Sequence, residues 1–147
     1  MNAAYEDETG EIADFMAARL DELEAAAEAA TPGPWTDTGQ RDVFVEQLAT
    51  SAGTPAEDLH LIAEMEACGD HPDRRRADAE HIILHDPVRV LASAAADRAM
   101  LHEHAAFAGI AVNDPSVREW ANALGRMVRI RASAWAWHPE YKAGWKP

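Results

Sequence analysis

The sequence predicts a mainly helical α+β fold on three observations. Apolar residues recur at three- and four-residue spacing over 11–30 and again after residue 115. Two Asp-Pro pairs, Asp86-Pro87 and Asp114-Pro115, each have the form of a helix start: aspartate caps orphan amides and proline suits the first helical position. Between the first helix and these pairs, Val43-Phe44-Val45 is β-branched and aromatic, which favours a strand.

The elements follow in order. Residues 1–10 are acidic without a core-forming pattern and read as a flexible lead-in. Residues 11–30 form the clearest helix, with Ile12, Phe15, Met16, Leu20 and Leu23 on one face. Thr31-Pro32-Gly33-Pro34-Trp35 stops it, because neither proline can continue the backbone ladder. The stretch 36–69 has two readings. In one, Val43–Val45 pairs as a strand with 59–65. In the other, Thr54-Pro55-Ala56-Glu57 is a capping box that opens a helix running to Cys68. Residues 71–76 read as a polar turn and 75–85 as a helix.

The helix after Asp86 should run to about residue 104, burying Val88, Leu91, Ala94, Ala95 and Leu101. The helix after Asp114 should run to about residue 137. Its apolar stripe is Val117, Trp120, Leu124, Met127, Ile130 and Ala134, and its polar side is Arg118, Asn122, Arg126, Arg129 and Ser133. Alanine is abundant and buries little, so the core leans on Phe15, Trp35, Phe44, Leu91, Leu101, Trp120, Met127, Ile130 and Trp135. A chain of 147 residues has the usual size of one domain, and 11–147 is expected to form a single compact body.

Charge is unevenly placed. The net charge is −13; residues 1–70 hold 17 acidic and 2 basic residues, whereas 116–147 hold 2 acidic and 6 basic. An acidic body disfavours nucleic acid at long range. The basic C-terminal segment with its tryptophans is expected to lie against the acidic first helix rather than to bind nucleic acid. The one cysteine, Cys68, excludes an internal disulfide and sits among acids that disfavour a thiolate. No apolar run approaches a membrane span and the N-terminus lacks a targeting pattern, so a cytoplasmic location without membrane contact is expected.

Histidines are the candidates for chemistry. His81 and His85 share one helix face at four-residue spacing and could hold a transition metal such as zinc, with His138 as third ligand and His102 or His104 as further ones. The pattern is not His-Glu-x-x-His, and no phosphate loop, dinucleotide fingerprint or nucleophile elbow is present.

Several segments together resemble a family. Thr31-Pro-Gly-Pro-Trp35 follows an acidic helix. Then come the His-x3-His-Asp-Pro-x-Arg-Val-Leu run over 81–91, the stretch 98–104, and the His-Pro-x-Tyr-x3-Trp-x-Pro tail over 138–147. Nearly the whole chain resembles a family of small proteins of unknown function from actinobacteria and their phages. The resemblance implies a variable insert at 40–76, which favours a β-hairpin from about 43 to 65. It also implies that His81, His85, Arg89, His104, His138, Tyr141 and Trp145 belong to one constellation, with Arg89, Tyr141 and Trp145 as binding residues. It brings no activity.

The expected architecture is therefore an N-terminal helix, a small hairpin insert and a bundle of two or three helices. The expected function is a non-enzymatic protein-interaction module without cofactor, with a protein partner or a second copy of itself. The alternative is a zinc-binding module or metal-dependent hydrolase built on the histidines.

Overall fold

A computed structural model describes residues 3–37, 42–46, 59–64, 72–107 and 114–147. Four helices and three short strands follow in the order α1 (Ala3–Ala29), β1 (Trp35–Asp37), β2 (Asp42–Glu46), β3 (Leu59–Glu64), α2 (Pro72–Leu84), α3 (Pro87–Phe107) and α4 (Pro115–Ala132). Two single 3-10 turns, Ser133–Trp135 and Ala143–Trp145, complete the tail. The mainly helical α+β class read from the sequence is what forms.

The chain divides into two compact units, Met1–Leu23 with Ala94–Pro147, and Glu24–Ser93. Helices α1 and α3 each contribute to both.

In the first unit, Ile12 and Phe15 of α1 pack with Val128 and Ala132 of α4 and with Trp145 of the tail. Met16, Leu20 and Ala94 form a second cluster, and Met100, Leu101 and Trp135 lie against both. Helix α1 starts eight residues earlier than the spacing suggests. Its first turns gain tertiary partners: Thr9 is buried, and Glu8 pairs with Arg129 of α4 at 2.9 Å. Residues 3–10 are thus helix rather than a loose lead-in.

Helix α4 departs furthest from expectation. Asp114 caps it as the sequence implies, its carboxylate accepting the Ser116 N–H at 2.8 Å. The buried side, however, is Gly125, Val128 and Ala132. Trp120, Met127 and Ile130 are 67%, 52% and 58% exposed and do not belong to the core. At about 100° per residue, apolar positions from Ile130 round to Gly125 cover roughly 220° of this helix, more than one neighbouring face can bury. Small residues occupy the buried part because the bulk there comes from Ile12, Phe15 and Trp145. The α-helix also ends at Ala132 rather than near 137, and successive tight turns carry the chain to Trp145.

In the second unit, the strands form an antiparallel sheet in the order β1-β2-β3. The pairing of β2 with β3 is the expected hairpin, with a register shift between Val43 and Phe44, and β1 adds a strand on the far side of β2. Residues 59–64 are strand, so the rival helix does not form there; the capping box itself, like Cys68 and His71, lies outside the described residues. Helix α2 begins at Pro72, earlier than expected, and packs against β1 and β2. Val88, expected inside, is exposed, and Trp35 and Leu91 are half-buried.

The second unit is drawn together at Asp86, which is 2% exposed. Its Oδ1 accepts the Arg89 N–H at 2.8 Å, capping α3, while Oδ2 accepts the Trp35 N–H at 3.4 Å. The Trp35 indole N–H donates to the Thr31 carbonyl at 3.0 Å. Gly33 stands so close that a Cβ there would lie 3.2 Å from Val88 Cγ2 and 3.3 Å from Asp86 Oδ2. The Gly33-Pro34 peptide is cis. The two motifs that looked separate in sequence, Thr-Pro-Gly-Pro-Trp and His-Asp-Pro, are one joint.

Candidate functional site

The tail and α1 form the densest polar and aromatic constellation in the first unit. Phe15 stands among three rings: His138 at 5.7 Å, Tyr141 at 5.9 Å and Trp145 at 5.3 Å between centroids, at tilted or edge-on angles that aromatic pairs favour. One turn further along α1, the Arg19 guanidinium lies over the same Phe15 ring, 5.3 Å from its centroid.

Arg19 is only 8% exposed and reaches three partners. Nη2 donates to Glu22 at 2.7 Å and Nη1 to Glu140 at 2.9 Å. Nη1 also stands 2.8 Å from His138 Nδ1 and 2.7 Å from Nε2, and only one of these can accept. The Glu140 backbone N–H points at Nδ1 at 3.2 Å. Arg19 Nε and the Tyr141 hydroxyl are buried without a hydrogen-bond partner among the described residues.

Further ion pairs bind the basic end of the chain to the acidic one. Arg129 pairs with Glu8 and Lys142 with Glu11, while Arg98 of α3 holds Asp21. Arg131 clamps Asp97 with two bonds of 2.6 and 2.8 Å. The hydrogen bond it donates to Asp97 holds the Arg131 guanidinium above its ordinary pKa; desolvation opposes this and the Asp97 charge adds to it. The basic C-terminal segment lies against the acidic helix, as its charge implied.

The residues singled out in the sequence divide between the two units. His81 and His85 are exposed on α2 and the turn after it, in the second unit, with ring centroids 4.4 Å apart. His85 Nδ1–H donates to the His81 carbonyl at 2.8 Å, which leaves Nε2 with the lone pair. His138 belongs to the first unit and is held by Arg19. His102 is exposed on α3; His104 is half-buried, and desolvation lowers its pKa. Among the described residues, no group of three or more His, Cys, Asp or Glu side chains is placed to hold a metal ion. Arg89 is exposed, and its backbone is held by Asp86. Trp145 is 4% exposed and is a core residue of the first unit.

Sequence reasoning passed over Arg19, and a signal was there. It is one of two basic residues in the first 70, and it sits on the apolar face of its helix, four residues after Phe15. A lone cation on the apolar stripe of an acidic helix needs a partner from elsewhere in the chain.

A second feature is the outer face of α4. Trp120, Met127 and Ile130 lie on it with the exposed Ala134, and Trp137 beyond the helix end is 77% exposed. No helix among the described residues is long and apolar enough to cross a membrane.

These features define a small helical protein whose aromatic tail is an integral part of its fold. The chain belongs to the family of unknown function DUF6221, whose model matches residues 9–147. No curated protein and no solved structure matches it at a significant level.

Proposed function

We propose that this chain is a non-enzymatic protein-interaction module, of actinobacterial or phage origin and working in the cytoplasm, and that it meets its partner through the outer face of α4. One observation carries the reading. Three large apolar side chains, Trp120, Met127 and Ile130, are each more than half exposed on one helix face. Scattered apolar residues are ordinary on a surface, but a contiguous set on one face marks a contact site. Tryptophan and methionine are also enriched where proteins meet.

A photo-activated cross-linking residue at position 127 tests the proposal in living cells, with the same residue at the exposed position His102 as control. One discrete product from position 127 and none from position 102 is the expected result. No product from either position, or the same ladder from both, overturns it.

A further inference from the structure

The outer face of α4 has a regular order. Ser116, Trp120, Ala123, Met127 and Ile130 follow one another at alternating four- and three-residue steps, and Ala134, in the 3-10 turn beyond the helix end, continues the spacing. This is the seam of a two-stranded coiled coil, in which such positions face a partner helix. The structure buries the opposite side of α4, at Gly125, Val128 and Ala132, and leaves Ser116, Trp120, Met127 and Ile130 exposed and Ala123 half-buried. Along one flank, each residue just before a large seam residue is charged: Glu119 precedes Trp120 and Arg126 precedes Met127. Both are exposed.

We infer that the occupant of this face is a second copy of the chain, its α4 running antiparallel to the first about a twofold axis between Trp120 and Ala123. The inference rests on reading this face as a contact surface. Charge complementarity selects both the partner and the direction. In an antiparallel pair the same flanks of the two helices meet, so Glu119 faces Arg126 of the second copy, and the reciprocal pair forms on the other side of the axis. In a parallel pair that flank meets the opposite one, where Glu119 would face the apolar Leu124 and Arg126 would face Arg131, already held by Asp97, so neither finds an opposite charge. Size complementarity agrees with the antiparallel choice: each Trp120 indole lies beside Ala123 of the second copy, a large residue against a small one.

Sedimentation equilibrium on the full chain, followed by cross-linking of single-cysteine variants in a Cys68→Ser background, tests the inference. The expected result is a dimer. Glu119→Arg should weaken it at least tenfold, and Glu119→Arg/Arg126→Glu should restore it to within about threefold of the wild type. A short bismaleimide should join Ala123→Cys chains and leave Ala134→Cys chains single, because the antiparallel arrangement sets the two 134 positions roughly 35 Å apart along the axis. The substituted side chains at 119 and 126 are exposed, and circular dichroism confirms that each variant is folded. A chain that stays monomeric at several hundred micromolar, a dimer indifferent to Glu119→Arg, or equal cross-linking at 123 and 134 overturns the inference. The contact-surface reading fails separately: a discrete cross-link from position 127 to a different protein keeps that reading and removes the second copy.

Discussion

Arg19 and His138 are 119 residues apart in sequence, and the Arg19 guanidinium donates to the His138 ring at 2.8 Å. The contact fastens the tail to the first helix beside an aromatic cluster centred on Phe15. Arg19→Ala removes a buried cation with bonds to His138, Glu22 and Glu140. Both glutamates are largely exposed and can be rehydrated, so the cost comes mainly from the lost bonds and packing. A loss of about 1–3 kcal/mol is expected in urea unfolding. A change below about 0.5 kcal/mol would mean that the tail is held by its aromatic rings alone.

Two tryptophans should behave in opposite ways. Trp145 is 4% exposed and shares a core cluster with Ile12, Phe15 and Val128, so Trp145→Ala is expected to cost about 3–5 kcal/mol. Trp120 is 67% exposed, so Trp120→Ala should change the stability of the monomer by no more than about 0.5 kcal/mol. Urea unfolding at submicromolar protein, below self-association, makes the comparison. Equal losses would contradict the orientation of α4.

That pair also shows what the sequence could and could not disclose. Helix starts at Asp86-Pro87 and Asp114-Pro115 were legible, because capping is local chemistry that Asp and Pro report directly. The hairpin was half legible: Val43–Val45 signalled a strand, but its partner competed with a capping box until the resemblance weighed in. The phase of α4 was not legible. Periodicity gives weight to large residues, and Trp120, Met127 and Ile130 outline a stripe as regular as the buried one at Gly125, Val128 and Ala132. Which side is buried depends on bulk supplied by Phe15 and Trp145, more than a hundred residues apart. The histidines shared a helix spacing with metal sites, but spacing carries no information about a third ligand. The Arg131–Asp97 clamp was hidden for the same reason, since its partners lie on different helices.

The joint at Asp86 makes a third expectation. Asp86→Ala removes the cap on α3 and leaves the Trp35 N–H without its acceptor, so a loss of about 2–3 kcal/mol is expected. Gly33→Ala places a methyl group 3.2 Å from Val88 Cγ2 and should cost about 1–2 kcal/mol. Gly33→Ala and Val88→Ala together should recover part of that loss, because the crowding atom is then gone. Thermal unfolding of the four proteins in parallel reads all of these. No recovery in the double variant would place the strain at Asp86 Oδ2 instead.

His104 supplies a pH dependence whose sign follows from its surroundings. Burial lowers its pKa in the folded chain below the ordinary 6.5. Between the two values the unfolded chain binds more proton than the folded one, so stability rises with pH through that window. The stabilisation is complete above about 6.5 and is lost as pH falls through the folded value. The wild-type curve sums every group that changes protonation on unfolding, so it alone does not isolate this contribution. The difference between the wild type and His104→Gln does, because glutamine keeps a polar side chain of similar size but cannot be protonated in this range. Unfolding free energies at half-unit steps from pH 5 to 8 should give a difference that is flat above 6.5 and moves in favour of the variant below it. A difference that stays constant across the range, or moves toward the wild type on acidification, would mean that the folded environment of His104 does not disfavour its charged form.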